Sequence, residues 1–479
     1  MIGKEMREQD EIYRLLSTDY YELTMAKGYL DSHIENKTAT FDLFIRNLPE
    51  NWGFFIANGI EDAVDFLTQD FFFRPEDISY IIDQGFPEYF LDCCKDIKFT
   101  GDVLAVPEGS PVAPNTPILR VTSPLIQAQL AETALLNLVN FQTMIATKAN
   151  RIARAAAGAS VVDFGLRRAQ GPNAGLKGAR AAFIGGCRGT SNVDAGRRYG
   201  MPVSGTQAHS WVMVFPTELD AFRAYAASFP ENTTLLIDTY DVLQGARNAA
   251  VVAKEMEATG HKLNAVRIDS GDLCDLSKDV RDILDSEGLG HVKIVATSDL
   301  NEYKIADLVA KKAKIDSYGV GTELITGKPV AALPGVYKLV QIEDRPVIKL
   351  SSAKVTYPGI KQVYRLTDDQ GNYTEDLLAL EDEKIQDCLE GESEDRVLGN
   401  DLNAIPLLGH MISRGTRVVP RKSIHETKSY VEKCVSKMPP TSLKIVAPTP
   451  YVAKPSTKLC ELMRDLRYKY MAREPLELA

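Results

Sequence analysis

Between residues 160 and 340 short apolar runs recur at nearly even spacing, at 161–164, 182–184, 202–203, 235–237, 265–268, 293–296 and 317–320. Most are separated by stretches long enough for a helix, such as 240–258 and 273–286. A chain that alternates short strands with helices is committed to a parallel sheet with right-handed crossovers. Units repeated at this spacing predict a parallel β/α barrel, TIM-like and not necessarily complete, better than an open sheet. The residues after each run sharpen the point. They read Asp163-Phe164-Gly165-Leu166-Arg167-Arg168, then Gly189-Thr190-Ser191-Asn192, then Ser204-Gly205-Thr206-Gln207-Ala208-His209-Ser210. Later come Asp238-Thr239-Tyr240-Asp241, Arg267-Ile268-Asp269-Ser270-Gly271-Asp272, Thr297-Ser298-Asp299 and Gly319-Val320-Gly321-Thr322. One such cluster is explained by capping and turn formation. Repeated in register, they mark the strand ends at which barrel enzymes build their sites.

Elsewhere the texture differs. Residues 1–130 read as an α+β sheet domain, with a helix over 15–30, a strand over 41–45, and short strands cut by glycine and proline over 99–124. The barrel segment, 131–340, opens with a long helix over 131–157. Two strands around Glu343–Arg345 follow, and the runs 362–365 and 373–378 flank an Asp369-Gln370-Gly371 turn. The pieces through 341–380 are expected to rejoin the 99–121 strands in one smaller sheet domain. Residues 381–479 are charged and read as a mainly helical C-terminal extension, with helices over 423–437 and 455–471.

Composition narrows the function classes. A net charge of −10 with no long basic run argues against nucleic acid or an anionic membrane as the main partner. No 18-residue apolar run offers a membrane span, and Met1 to Asp10 is polar, with no apolar signal region. The seven cysteines (93, 94, 187, 274, 388, 434 and 460) are odd in number and scattered, without zinc spacing. Reduced thiols and a cytoplasmic location are expected.

The strand-end residues suggest phosphate chemistry. The Gly319-Val320-Gly321-Thr322 run can aim backbone N–H groups and a helix start at a phosphate. Ser298 and Asp299 suit a ribose diol, and Arg167, Arg168 and Arg267 offer forks for carboxylate or pyrophosphate oxygens. Among six histidines, His209 alone follows a strand end in a run of small residues. Ser-His-Asp order, HExxH and Walker A sequences are lacking.

These residues resemble the nicotinate phosphoribosyltransferases of the barrel-type (type II) phosphoribosyltransferase family. The match runs from LSTDYYELTM at 16–25 to YPGIKQVYR at 357–365, through DFGLRRAQGP, GTSN, SGTQAHS, VRIDSGDL, TSDLNEYKI, YGVGTEL and GVYKL. The resemblance implies ATP-coupled transfer of phosphoribose from 5-phosphoribosyl 1-pyrophosphate to nicotinate in NAD biosynthesis, with Mg2+ as cofactor and ATP as co-substrate. It places transient phosphorylation on His209. Tyr21 and Phe164 fall on rings that sandwich the pyridine, with Tyr21 supplied by the other subunit of a homodimer. Thr206 and Arg267 fall on nicotinate contacts, and Arg167, Ser298, Asp299, Gly321 and Thr322 on the phosphoribosyl pyrophosphate site. Asp269 and Asp299 fall near the ribose and its magnesium, and Asp269 is the candidate for negative charge beside C1. The alternative within the class is nicotinamide phosphoribosyltransferase. In the resemblance that enzyme has an aspartate where this chain has Ser191. A non-catalytic sensor of phosphorylated metabolites would have degraded motifs, whereas these are whole; a phosphosugar isomerase or aldolase would want a Schiff-base lysine or paired carboxylates at a strand end, and neither is convincingly placed.

Overall fold

The computed structural model describes residues 13–350, 356–390 and 403–471; the stretch Met1 to Asp10, expected to lack a signal region, lies outside them. The chain divides into two compact units, Ile145–Ala331 and Met1–Met144 with Ala332–Ala479, the division falling within helix Glu132–Ala155.

The unit Ile145–Ala331 carries the alternating pattern. Its strands are β1 (Ser160–Asp163), β2 (Gly189–Thr190), β3 (Thr234–Leu236), β4 (Ala265–Ile268), β5 (Lys293–Ala296) and β6 (Ser317–Val320), in the order β2-β1-β6-β5-β4-β3. All pairings are parallel, as the crossovers require. Asp163 sits opposite Val320 and Thr190, Ala296 opposite Ile268, and Arg267 opposite Leu236, so the C-terminal strand ends share one edge. The crossover helices form for local reasons. Asp272 caps Leu273–Ser286 by accepting from the Cys274 and Asp275 amides, at 2.9 and 3.2 Å. That helix buries Leu273, Ser277, Val280 and Leu284 at helical spacing. In Val242–Ala258 a β-carbon on Gly245 would lie 2.1 Å from the Ile237 carbonyl oxygen, so this helix meets its strand at glycine distance.

Two expected strands are not strands. Residues 182–184 are the last turn of helix Pro172–Gly185, because a short buried apolar run has no period that separates helix from strand. Residues 202–203 give only an isolated bridge, Val203 to Thr190. The closure expected of a barrel is likewise not found: the sheet ends at β2 and β3, and no ladder joins them among the described residues.

The other unit is mainly antiparallel, Tyr373–Leu380 pairing in parallel with Ala453–Pro455. A seven-stranded sheet runs in the order Arg345–Pro346, Gly335–Ile342, Thr38–Ile45, Leu119–Pro124, Asp102–Ala105, Gly409–Ser413, Thr416–Arg417. Of the expected post-barrel strands, only the pair around Glu343–Arg345 joins it. Lys361–Thr367 and Tyr373–Leu380 form a separate four-stranded sheet with Asn403–Pro406 and Ala453–Pro455. Among the described residues the C-terminal segment therefore supplies four strands as well as its helices Ile385–Glu390, Ile424–Val435 and Thr457–Met471. Among the described residues no helix is long and apolar enough to cross a membrane.

Candidate active site

The shared edge of the parallel sheet opens into a cleft of about 680 Å³, within the range of small-ligand sites. It is lined by Phe164, Arg167 and Arg168 after β1, Thr206 to His209 before helix His209–Val214, Arg267 and Asp269 at β4, Thr297 to Asp299 after β5, and Gly319, Gly321 and Thr322 at β6.

At the first strand end Asp163 is buried and acts inward. Its carboxylate accepts from the Gly165 amide at 2.8 Å and the Thr190 hydroxyl at 2.7 Å, fixing the turn that carries Phe164 and Arg167. Burial pushes the Asp163 carboxyl above the usual range, against those two hydrogen bonds. Phe164 lies against Gly319: a β-carbon there would meet the ring and the Thr297 methyl, each at 2.7 Å. The glycine leaves the space that the ring occupies.

Arg267 reaches into the cleft from β4 and donates to the Thr206 hydroxyl. Its Nε is buried and has no hydrogen-bond partner. Burial pulls the guanidinium down and nearby Arg167 adds to this, while Asp269 and Asp238 oppose it. A buried donor left unmade costs free energy, so Arg267 keeps hydrogen-bonding capacity that the protein's own groups do not use.

His209 stands at the start of its helix with Nδ1 3.2 Å from the Thr239 hydroxyl and Nε2 3.7 Å from the Asp269 carboxylate. Asp269 is itself fixed: it accepts from the Thr297 hydroxyl, and its amide donates to Asp238 at 3.0 Å. The imidazole is thus oriented on both sides, with part of its surface open to the cleft. Ser298 and Asp299 both take positive φ, 100° and 43°, which turns this loop sharply after β5.

Ten of the eleven residues singled out from sequence line this one cleft; Tyr21 does not. Tyr21 belongs to the other unit, on helix Tyr20–Asp31, where it is 44% exposed. Burial and the carboxylates of Glu132, Glu22 and Asp19 push its phenol up. Ser191, expected to separate acid from amide substrates, is not among the lining residues. Gln207 is, and was not singled out. It is 5% exposed, and neither side-chain amide atom has a hydrogen-bond partner. Sequence shows only a glutamine in a loop; burial without partners is a tertiary property.

Known proteins resemble this chain along most of its length. Residues 16–140 match the model of the nicotinate phosphoribosyltransferase N-terminal domain, 159–369 that of the nicotinate phosphoribosyltransferase family, and 360–463 that of its C-terminal domain. The chain is 45% identical to a nicotinate phosphoribosyltransferase of Bacillus subtilis over 383 residues, 78% of this chain and 77% of that one. It is 34% identical to a nicotinate phosphoribosyltransferase of Caenorhabditis elegans, over 97% of this chain and 95% of that one. The crystal structure of human nicotinic acid phosphoribosyltransferase superposes with a TM-score of 0.81 at 28% identity, covering 94% of this chain and 99% of that one.

Proposed function

The chain belongs to the nicotinate phosphoribosyltransferase family, and from that premise we propose that it joins nicotinate to the phosphoribosyl group of 5-phosphoribosyl 1-pyrophosphate, coupled to ATP through His209. The products are nicotinate mononucleotide and pyrophosphate, an entry step to NAD. The observation that carries the reading is Arg267: a half-buried arginine whose buried Nε has no partner, held by Thr206 in the cleft that Phe164 also lines. A flat ring bearing a carboxylate supplies what both lack, an acceptor for the fork and a face for the phenyl ring.

The pyridine nitrogen is already unprotonated at neutral pH and needs no general base. The N–C1 bond forms as the C1–O bond to pyrophosphate breaks, through an oxocarbenium-like state. Catalysis is then orientation plus charge placement. Arg167, Ser298, Asp299, Gly321 and Thr322 hold the phosphoribosyl pyrophosphate, and Asp269 sets negative charge beside C1. Tyr21 covers the second face of the pyridine from the partner protomer of a homodimer.

The family implies magnesium, and the donor set fits an ion carried in by substrate. Asp269 and Asp299 border the cleft, while no group of three or more His, Cys, Asp or Glu could cage a metal among the described residues. Magnesium characteristically pairs one or two carboxylates with phosphate oxygens and water. When bound, it neutralises the leaving pyrophosphate.

His209 takes the γ-phosphoryl group of ATP on a ring nitrogen, releasing ADP; water later returns the imidazole and inorganic phosphate. The phosphoryl group adds nearly two negative charges beside the arginines and so changes how tightly the cleft holds its anions. Seven free cysteines accord with a cytoplasmic site of action.

One experiment tests the reading. Phosphoribosyl pyrophosphate and magnesium are mixed with nicotinate, nicotinamide or quinolinate, with and without γ-labelled ATP, and nucleotide and protein-bound label are both followed. Nicotinate mononucleotide, ATP stimulation and an acid-labile, base-stable label lost in His209→Ala are expected. Product from nicotinamide alone would overturn the substrate, and an acid-stable label would overturn the phosphohistidine.

A further inference from the structure

Beneath the cleft, inside the same unit, lies a group of charges that the mechanism does not use. Lys148, on helix Glu132–Ala155, is fully buried and is not a cleft residue. Its ammonium is 2.5 Å from one carboxylate oxygen of Glu302, which is also fully buried, and 4.0 Å from the carboxylate of Glu323. Glu302 is held a second time by Arg151 at 3.1 Å, and Glu323 a second time by Lys328 at 3.2 Å.

The two carboxylates have telling addresses. Glu302 opens helix Glu302–Ala310, three residues after Asp299. Asn301 caps that helix through the Tyr303 and Lys304 amides, at 3.1 and 2.9 Å, and Lys304 donates back to the Asp299 carbonyl at 2.9 Å. Glu323 follows Thr322 directly, at the start of Thr322–Ile325. One ammonium thus hydrogen-bonds the anchor of the Ser298–Asp299 loop and lies at ion-pair distance from that of the Gly321–Thr322 loop. The first loop holds two non-glycine residues at positive φ. Such backbone is strained and persists only where the surroundings over-determine it.

We propose that Lys148 is a positioning residue for phosphoribosyl pyrophosphate: by bridging Glu302 and Glu323 it holds the two loops of that substrate's site in one frame. The proposal rests on the functional reading above for the identity of the substrate. It explains why a lysine is buried at this point. Burial pulls its ammonium down and Glu302 opposes the pull, so an apolar side chain would fill the space at lower electrostatic cost. An apolar side chain would not tie two loops together.

The network also makes the idea testable without wrecking the fold. In Lys148→Met, Glu302 keeps Arg151 and Glu323 keeps Lys328, so neither carboxylate is stranded. In Glu323→Gln the same bridge is cut at its more exposed end. Calorimetry with phosphoribosyl pyrophosphate and magnesium should give a Kd weakened about tenfold or more in both variants, since loop displacements near 1 Å act on this scale. The KM for nicotinate should stay within about twofold in both, a split that general destabilisation does not produce. Lys148→Arg, which keeps the charge, should recover part of the loss. Equal binding of phosphoribosyl pyrophosphate by wild type and both variants would overturn the proposal, as would equal weakening toward both substrates. A wild type that binds phosphoribosyl pyrophosphate but makes no nicotinate mononucleotide would instead remove the functional reading.

Discussion

A single missing side chain shapes the aromatic wall of the cleft. Gly319 gives up a β-carbon that would press on the Phe164 ring and on Thr297 at 2.7 Å, closer than β-carbons approach their neighbours. Gly319→Ala should therefore push the ring out of its stacking position. Losing an aromatic contact of about 0.5–1.5 kcal/mol should raise the KM for nicotinate up to roughly tenfold. The melting temperature should change little, because the ring borders a cavity and can move. An unchanged KM would mean that Phe164 does not stack on substrate. At this scale the sequence is readable where chemistry sits at strand ends: Arg267 lies within an apolar run, and His209, Asp269 and Thr322 each follow one. It is unreadable for Gln207, whose meaning comes from 5% exposure and two unmatched amide atoms.

Elements show where local pattern stops. Helix Leu273–Ser286 matches its expected span because its cap and its apolar period are both local. The run 182–184 went to a helix, and Lys361–Thr367 went to a different sheet from the one expected, because strand partners are chosen by long-range packing. The YPGIKQVYR motif shows the same limit from another side. Lys361 and Arg120 both pair with buried Asp42, at 2.9 and 3.0 Å, and Arg365 grips Asp376 through two 3.0 Å bonds. These cations serve the antiparallel unit, not an anionic substrate. Helix Tyr20–Asp31 carries a prediction of its own. Glu22 is buried under it between the hydroxyls of Thr18 and Thr133, and burial raises its carboxyl to about 7. An unfolded glutamate titrates near about 4.3. The folded state thus holds a proton that the unfolded state releases, so this contribution to stability is complete below about pH 4 and fades as pH rises through about 7. The loss amounts to at most roughly 4 kcal/mol. Thermal unfolding from pH 5 to 8 should show a falling midpoint that Glu22→Gln flattens; parallel curves for the two proteins would exclude Glu22 as the source.

At the scale of the whole molecule, the proposed site draws Tyr21 from a second protomer. Tyr21 is exposed on one unit and His209 lines a cleft in the other. Tyr21→Ala should be nearly inactive, and His209→Ala should keep slow transfer without ATP stimulation. Mixed and allowed to exchange subunits, the two should regain ATP-stimulated activity, because one site of each mixed dimer holds both native residues. No recovery after verified exchange would put Tyr21 in its own protomer's site or outside any site. Substrate choice is the property on which the account depends most, and it converges on Arg267. The most direct measurement is the ratio of kcat/KM for nicotinate to that for nicotinamide, in wild type and Arg267→Ala. A buried charge-assisted hydrogen bond is worth roughly 1.5–3 kcal/mol, so the ratio should fall by at least about tenfold in the variant. A ratio unchanged by the substitution, with both substrates losing equally, would contradict the claim that this cleft reads the carboxylate of nicotinate.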